Sequence, residues 1–361
     1  MLSTIIWFII GLISLVGGAE LLVRSVSKLA VQFGISKLII GLTVVAFGTS
    51  APELAVSIQA GIDGQTDLML GNIVGSNISN IFFILGIAAI IMPMKVNAKL
   101  IRVDVPLMIG VTILLFLFAL NGSITFWECL IFVFLCGFYL MFLIRENSKT
   151  NFSNEKLPLK SSRNLNILGS LAGLAFLLLG ARWLVESAVV FAEIVGISQL
   201  IIGLTVVSFG TSLPEVATSV AAALKGERDI AVGSVIGSNI SNILVVLGIS
   251  GLFIPEGISV QNVLLRFDLL ILIAASVACI PIFFTGHKIS RWEGGMFFFL
   301  YISYVTYLFL SAAEHAALEM FSGAMLFFVI PILTVTILTV SYREWKRRQR
   351  FKGFGKTNEE K

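Results

Sequence analysis

One passage occurs twice in this chain. Residues 41–53 read GLTVVAFGTSAPE and residues 203–215 read GLTVVSFGTSLPE; downstream, 71–81 read GNIVGSNISNI and 233–243 read GSVIGSNISNI. The offset is 162 residues each time. Each copy sets a carboxylate, hydroxyls and asparagines among strongly apolar neighbours. A chain built this way must fold the same local structure twice and then bring two equivalent sets of polar groups to places where they can be satisfied.

The surroundings of the repeats are membrane-like. With 57% hydrophobic and 13% charged residues, the 361-residue sequence is that of a polytopic membrane protein. A spanning helix needs roughly 20 apolar residues. Eleven stretches qualify, at about 4–30, 37–60, 68–92, 104–120, 125–144, 165–194, 199–223, 229–254, 267–285, 292–311 and 322–341. The first is too long for a signal-peptide core and is expected to stay as a span. Cys129, Cys136 and Cys279 all lie within spans, follow no metal-ligand spacing and read as small apolar residues. The net charge of +4 does not indicate nucleic-acid binding, because nearly all the basic residues sit in loops flanking the spans.

Nearly all of those basic residues fall in alternate loops: Lys37; Lys95, Lys99 and Arg102; the segment from Arg145 to Arg163; Lys225 and Arg228; Lys288 and Arg291; and the tail from Arg343. The intervening loops carry neither Lys nor Arg. The positive-inside rule makes the basic loops cytoplasmic, with the N-terminus outside and the C-terminus inside, in an inner (plasma) membrane. Residues 1–145 and 165–311 then hold five spans each, joined by a polar cytoplasmic linker at 146–164. Because five is odd, the second half enters from the opposite side. The expected fold is all-α, with two inverted five-helix repeats plus one extra C-terminal span at 322–341 and a basic cytoplasmic tail at 342–361. Equivalent residues of inverted repeats meet near the bilayer midplane, the arrangement of secondary transporters.

Other landmarks recur. Arg102 and Asp104 match Arg266 and Asp268; Trp127-Glu128 match Trp292-Glu293, where interfacial anchoring is expected. Glu20 and Arg24 fall at the positions of Arg182 and Glu186 with signs exchanged, and each couple is expected to form an i,i+4 ion pair within its span.

The repeated motifs hold the chemistry. Pro52 and Pro214 lack an N–H and clash with the carbonyl four residues back, at Gly48 and Gly210, so each span is expected to break there. Irregular backbone at membrane depth is tolerated where it is buried in protein or lines a cavity. Thr49 and Ser50 lie four and three residues before Glu53, on one face; Thr211, Ser212 and Glu215 repeat the pattern. In the next span Ser76 and Asn80 share a face, as do Ser238 and Asn242. Gly71 and Gly75, and Gly233 and Gly237, form small-residue edges that let helices approach closely. Asn77 and Asn239 point off that face and could serve either the site or a broken backbone. The donor set is all oxygen. Calcium takes six to eight oxygen ligands in irregular geometry, and sodium also prefers oxygen. Transition metals favour imidazole or thiolate, whereas His287 and His315 fall in loops. Any one hydroxyl could simply glue helices together; a duplicated carboxylate in hydrocarbon is too costly for packing alone.

On these paired G-T-S-x-P-E and G-S-N-x-x-N motifs, over roughly residues 10–311, the chain resembles the calcium/cation antiporter superfamily, the sodium/calcium exchanger-like proteins with two α-repeats, and its prokaryotic members in particular. The resemblance implies metal-binding positions at Thr49, Ser50, Glu53, Ser76 and Asn80 and at Thr211, Ser212, Glu215, Ser238 and Asn242, with the carbonyls of Ala46 and Ser208 lining the pathway. It also implies long, oblique, mobile first spans in each half. Asn242 stands where some relatives have Asp, which weakens any claim of potassium co-transport. The expected activity is exchange of Ca2+ for Na+ by alternating access. Proton-coupled calcium exchange is the alternative, and a cation channel is disfavoured by the inverted repeat. No intramembrane His, Cys–His or Ser–Lys arrangement supports an enzyme. No cofactor is expected beyond the transported ions. The expected partners are Ca2+, Na+ or H+ and the lipid bilayer, with no nucleic acid, and the chain is expected to act as a monomer.

Overall fold

The computed structural model describes residues 2–147, 162–194, 208–313 and 315–337, together with 339, 340, 342 and 346. The described residues are mostly helical, with helices α1 (Leu2–Phe33), α2 (Lys37–Thr49 and Ala51–Ile62), α3 (Thr66–Ile91), α4 (Leu100–Ala119), α5 (Phe126–Asn147), α6 (Arg163–Ile194), α7 (Ser208–Thr211 and Leu213–Leu224), α8 (Arg228–Leu252), α9 (Leu264–Phe284), α10 (Arg291–Ala312) and α11 (Ala317–Ile337). Among the described residues nine helices are long and apolar enough to span a bilayer, and ten when the bent α2 counts as one span. The seventh expected span, 199–223, falls partly outside the described residues. So do most of the linker and of the basic tail. The last span begins earlier than its hydropathy suggested, at Ala317 rather than 322.

Burial sorts the helices. In α8, 94% of the most apolar 18-residue stretch is inside the protein, and in α3 78%; in α11 none is. The two most buried helices are the two that carry G-S-N-x-x-N, so polar groups in them are withdrawn from lipid. The outer helices show lipid-facing side chains such as Phe134, Phe138, Met320 and Phe327. A 32-residue helix is about 48 Å long at 1.5 Å per residue, so α1 and α6, with 32 residues each, exceed a ~30 Å hydrocarbon core.

Glycines fix where α1 and α6 cross. A Cβ at Gly18 would lie 2.5 Å from the Leu177 nitrogen, and one at Gly173 2.6 Å from that of Leu22; Gly11 and Gly180 face each other in the same way. Gly11 corresponds to Gly173 and Gly18 to Gly180 at the 162-residue offset, so the crossing exchanges the halves. Two short antiparallel pairs repeat the exchange. β1 (Met94–Lys95) pairs with β4 (Lys288–Ile289), and β2 (Ser123–Ile124) pairs with β3 (Ile258–Ser259). Each ties a loop of one half to a loop of the other.

The α2–α3 and α7–α8 turns are also copies. Gly64 and Gly226 sit at φ +72° and +74°. The next residues, Gln65 and Glu227, donate back to the Ala60 and Ala222 carbonyls at 2.8 and 2.9 Å, a Schellman closure that requires the left-handed glycine. At the starts of α5 and α10, Glu128 accepts from Thr125 N at 2.7 Å and Glu293 from Ser290 N at 2.7 Å, so these carboxylates cap helices, while Trp127 and Trp292 stand exposed beside them as expected of anchors.

One expected ion pair is replaced. Arg182 and Glu186 meet within α6 at 2.7 Å, but Glu20 meets Lys225 of the α7–α8 turn at 3.0 Å instead of Arg24. The α7–α8 turn lies against α1 and offers Glu20 a lysine from outside its own helix.

Candidate functional site

The helix breaks lie where proline placed them. Ser50 (φ −78°, ψ 8°) and Ser212 (φ −87°, ψ 1°) leave helical geometry by the same amount, and the two parts of α2 are bent by 45°. Pro52 and Pro214 then open the second part of each helix within its first two positions, where a missing N–H costs nothing. The break directs Glu53 and Glu215, each in the first turn after it, into the protein centre. They are 1% and 2% exposed.

The halves cross at these carboxylates. Ser50 Oγ donates to Glu215 Oε1 at 3.2 Å, and Ser212 Oγ lies 3.4 Å from Glu53 Oε1. Thr49 also reaches Glu215, and Thr211 reaches Glu53. The hydroxyls of one copy thus serve the carboxylate of the other. Ser212 Oγ is in addition 3.5 Å from Ser76 Oγ, which joins α3 to the group. The Gly233–Gly237 edge of α8 closes on α2: a Cβ at Gly237 would meet Leu42 Cα at 2.7 Å and the Ala46 methyl at 2.9 Å. The counterpart packing of Gly71 and Gly75 would involve residues outside the described set.

Asn80 and Asn242 are held by a second crossed pair. Asn80 Nδ2 donates to Asn239 Oδ1 at 2.9 Å, and Asn242 Nδ2 donates to Asn77 Oδ1 at 3.1 Å. Committing each NH2 group this way turns the amide oxygen in the opposite direction. Asn77 and Asn239, ambiguous on a helical wheel, therefore orient the amides at 80 and 242. The sequence did carry a signal, since both recur at the offset of 162. A π-helical turn begins at Asn80 and another at Asn242, widening the helix at the same place in both copies. No side-chain periodicity announces this. Asn72 is a further participant that sequence reading missed. Its Nδ2 bonds the Glu53 carbonyl at 3.3 Å and Ser57 Oγ at 3.1 Å, and its Oδ1 lies 3.4 Å from Thr211 Oγ1. Its counterpart Ser234 meets only Ser219, at 3.3 Å, and the Ala231 carbonyl.

Nine of the ten predicted site residues are buried: Thr49, Ser50, Glu53, Ser76, Asn80, Ser212, Glu215, Ser238 and Asn242; Thr211 is half-buried. Five of their oxygens have no hydrogen-bond partner although buried: Glu53 Oε2, Glu215 Oε2, Asn80 Oδ1, Asn242 Oδ1 and Ser238 Oγ. Leaving one buried acceptor unsatisfied costs about 1–3 kcal/mol, and more when it is charged. The five come from both halves and include one oxygen of each buried carboxylate. The Ala46 carbonyl, expected to line the pathway, accepts Ser50 N at 3.0 Å and Thr49 Oγ1 at 3.3 Å; the Ser208 side chain lies outside the described set. Among the described residues no three His, Cys, Asp or Glu side chains cluster, so the site offers two carboxylates supplemented by neutral oxygens.

A multi-pass helical bundle whose two broken helices cross at a buried, all-oxygen centre defines the class of ion-exchanging membrane proteins. The sequence profile described as "Sodium/calcium exchanger protein" matches residues 3–145 and 165–310, and the chain belongs to that family. Among its relatives are the sodium/calcium exchanger MaX1 of Methanosarcina acetivorans, 36% identical over 83% of this chain and 97% of the relative. The putative antiporter CaxA of Alkalimonas amylolytica is 37% identical over 86% of this chain and all of the relative. The solved structure of the sodium-calcium exchanger NCX_Mj superposes with a TM-score of 0.75 at 31% identity, covering 85% of this chain and 98% of that one. The protein is thus a cation antiporter rather than an enzyme or a channel.

Proposed function

We propose that the chain exchanges Ca2+ for Na+ by alternating access through the site formed by Thr49, Ser50, Glu53, Ser76, Asn80, Thr211, Ser212, Glu215, Ser238 and Asn242. The observation that carries this reading is the set of five buried, partnerless oxygens from both halves. Two carboxylates match the charge of one Ca2+, and the neutral oxygens complete a shell within its usual six to eight ligands. Several Na+ ions compete for the same oxygens once Ca2+ leaves. An empty site keeps two uncompensated charges and switches poorly, which couples one flux to the other. The named exchangers among the relatives support the choice of ions. The molecule works as a monomer in the inner membrane, N-terminus outside and C-terminus in the cytoplasm.

Purified protein in liposomes tests this by Ca2+ uptake under Na+, H+ or K+ gradients imposed in turn. Uptake driven by an outward Na+ gradient is expected. Uptake driven by a pH gradient without Na+ would put the proton in sodium's place.

A further inference from the structure

The halves are copies in sequence, yet the two crossed helices α1 and α6 are not placed alike. α1 packs along the second part of α7, Leu15 and Ala19 lying beside Leu213, Ala217 and Ala221. Among the described residues α6 makes no comparable contact with the second part of α2, and Ala51, Ala55 and Gln59, the counterparts of Leu213, Ala217 and Ala221, are exposed. One side of the molecule is covered and the equivalent side is open.

The charges follow this asymmetry. On the covered side Lys225 Nζ reaches Glu20 Oε1 at 3.0 Å and the Glu20 carbonyl at 3.3 Å, tying α1 to the α7–α8 turn. At the offset of 162, Glu20 becomes Arg182 and Lys225 becomes Asp63, so the equivalent contact is an ion pair with its signs exchanged. It is not made. Arg182 turns to Glu186 on its own helix at 2.7 Å, and Asp63 accepts from Gln59 Nε2 at 2.9 and 3.0 Å. Glu186 in turn corresponds to Arg24, which is where Glu20 would go if released.

We propose that Glu20–Lys225 and Arg182–Asp63 are two alternative latches of the access switch, one holding α1 over α7 and the other holding α6 over α2. When either latch opens, its residue on the long helix is caught by the i,i+4 partner, Arg24 or Glu186, so no charge is left alone in an apolar setting. Exchanging the signs keeps each long helix from pairing with the other's turn. The inference rests on the exchange reading only for the existence of two access states.

The test reads Ala217→Cys, half-covered here and expected to be open in the other state, by its rate of thiol labelling in detergent, with the parent chain as blank because its three cysteines are buried. Exposed ion pairs are weak, so changes of about two- to fivefold are expected. Lys225→Gln should raise the labelling rate and Asp63→Asn should lower it, and Glu20→Lys combined with Lys225→Glu, which restores the latch but sets Lys beside Arg24 once it is released, should bring the rate to that of the parent or below it. Shifts of the same sign, or none from either variant, would overturn the proposal. Labelling needs no ion gradient, so failed Na+-driven uptake with opposed shifts intact would reject the exchange reading alone.

Discussion

A carboxylate in the middle of an apolar protein is held in place by what surrounds it, and each of the two here is braced by hydroxyls from the opposite half. Glu53→Gln and Glu215→Gln keep the shape of the site and remove its charge. Removing one partner of a buried charge pair costs about 3–5 kcal/mol; each variant should therefore lose at least about a hundredfold in Ca2+ affinity and all Na+-driven uptake. The rise in melting temperature that a ligand produces in proportion to its occupancy should vanish in both, whereas in ion-free buffer they should melt no lower than the parent. The amide pairs make a subtler claim. Asn239 bonds Asn80 on one side and Met108 Sδ at 3.5 Å on the other. Asn239→Leu leaves the Asn80 amide free to turn, a loss of about 1 kcal/mol for one hydrogen bond. Ca2+ affinity by calorimetry should fall about fivefold, less than for Asn80→Leu. The ten proposed ligands are five positions that the sequence repeats at an offset of 162, and nine of the ten are buried. The supports of those ligands were not all legible in the sequence. Asn72 acts across an element contact that no spacing within one helix reveals, and the π turns at Asn80 and Asn242 depend on packing rather than on residue type.

At the scale of elements, proline chemistry and composition located the breaks and the spans, with boundaries off by a few residues where helices continue past the apolar stretch, as at Leu100 and Leu264. The ion pair expected between Glu20 and Arg24 went elsewhere because Lys225 comes from a different element altogether. The α1–α6 crossing was invisible beforehand: Gly11, Gly18, Gly173 and Gly180 are seven apart in each helix and only contact shows what they are for. Gly18→Val should separate the two helices, since its new carbons would strike the Leu177 backbone. Overpacking of this kind costs about 1–3 kcal/mol. Thermal unfolding in detergent should shift down, and turnover should fall with Ca2+ affinity retained, because the site itself lies on α2, α3, α7 and α8.

For the molecule as a whole, the joins between halves outnumber the single covalent one. Two strand pairs, two serine–glutamate contacts and two asparagine pairs cross from one half to the other. Cutting a protease site inserted near residue 155 should therefore leave the two fragments associated on size exclusion and Na+-driven uptake within about twofold of the uncut protein, because the cut removes the tether and none of these contacts. Counting spans and basic loops leads to the expectation of an inverted topology, whereas the covered and open sides come from packing, which a symmetric sequence pattern cannot express. The crossed asparagines carry one more consequence. Asn80 meets the copy of Asn77, and Asn77 meets the copy of Asn80, which is the self-complementary form of an isologous dimer interface. A half-length chain able to insert in both orientations would already own every ligand of this centre, and a single substitution in it would alter the site twice. In one chain the two copies can differ, as the opposite charges at Glu20 and Arg182 do.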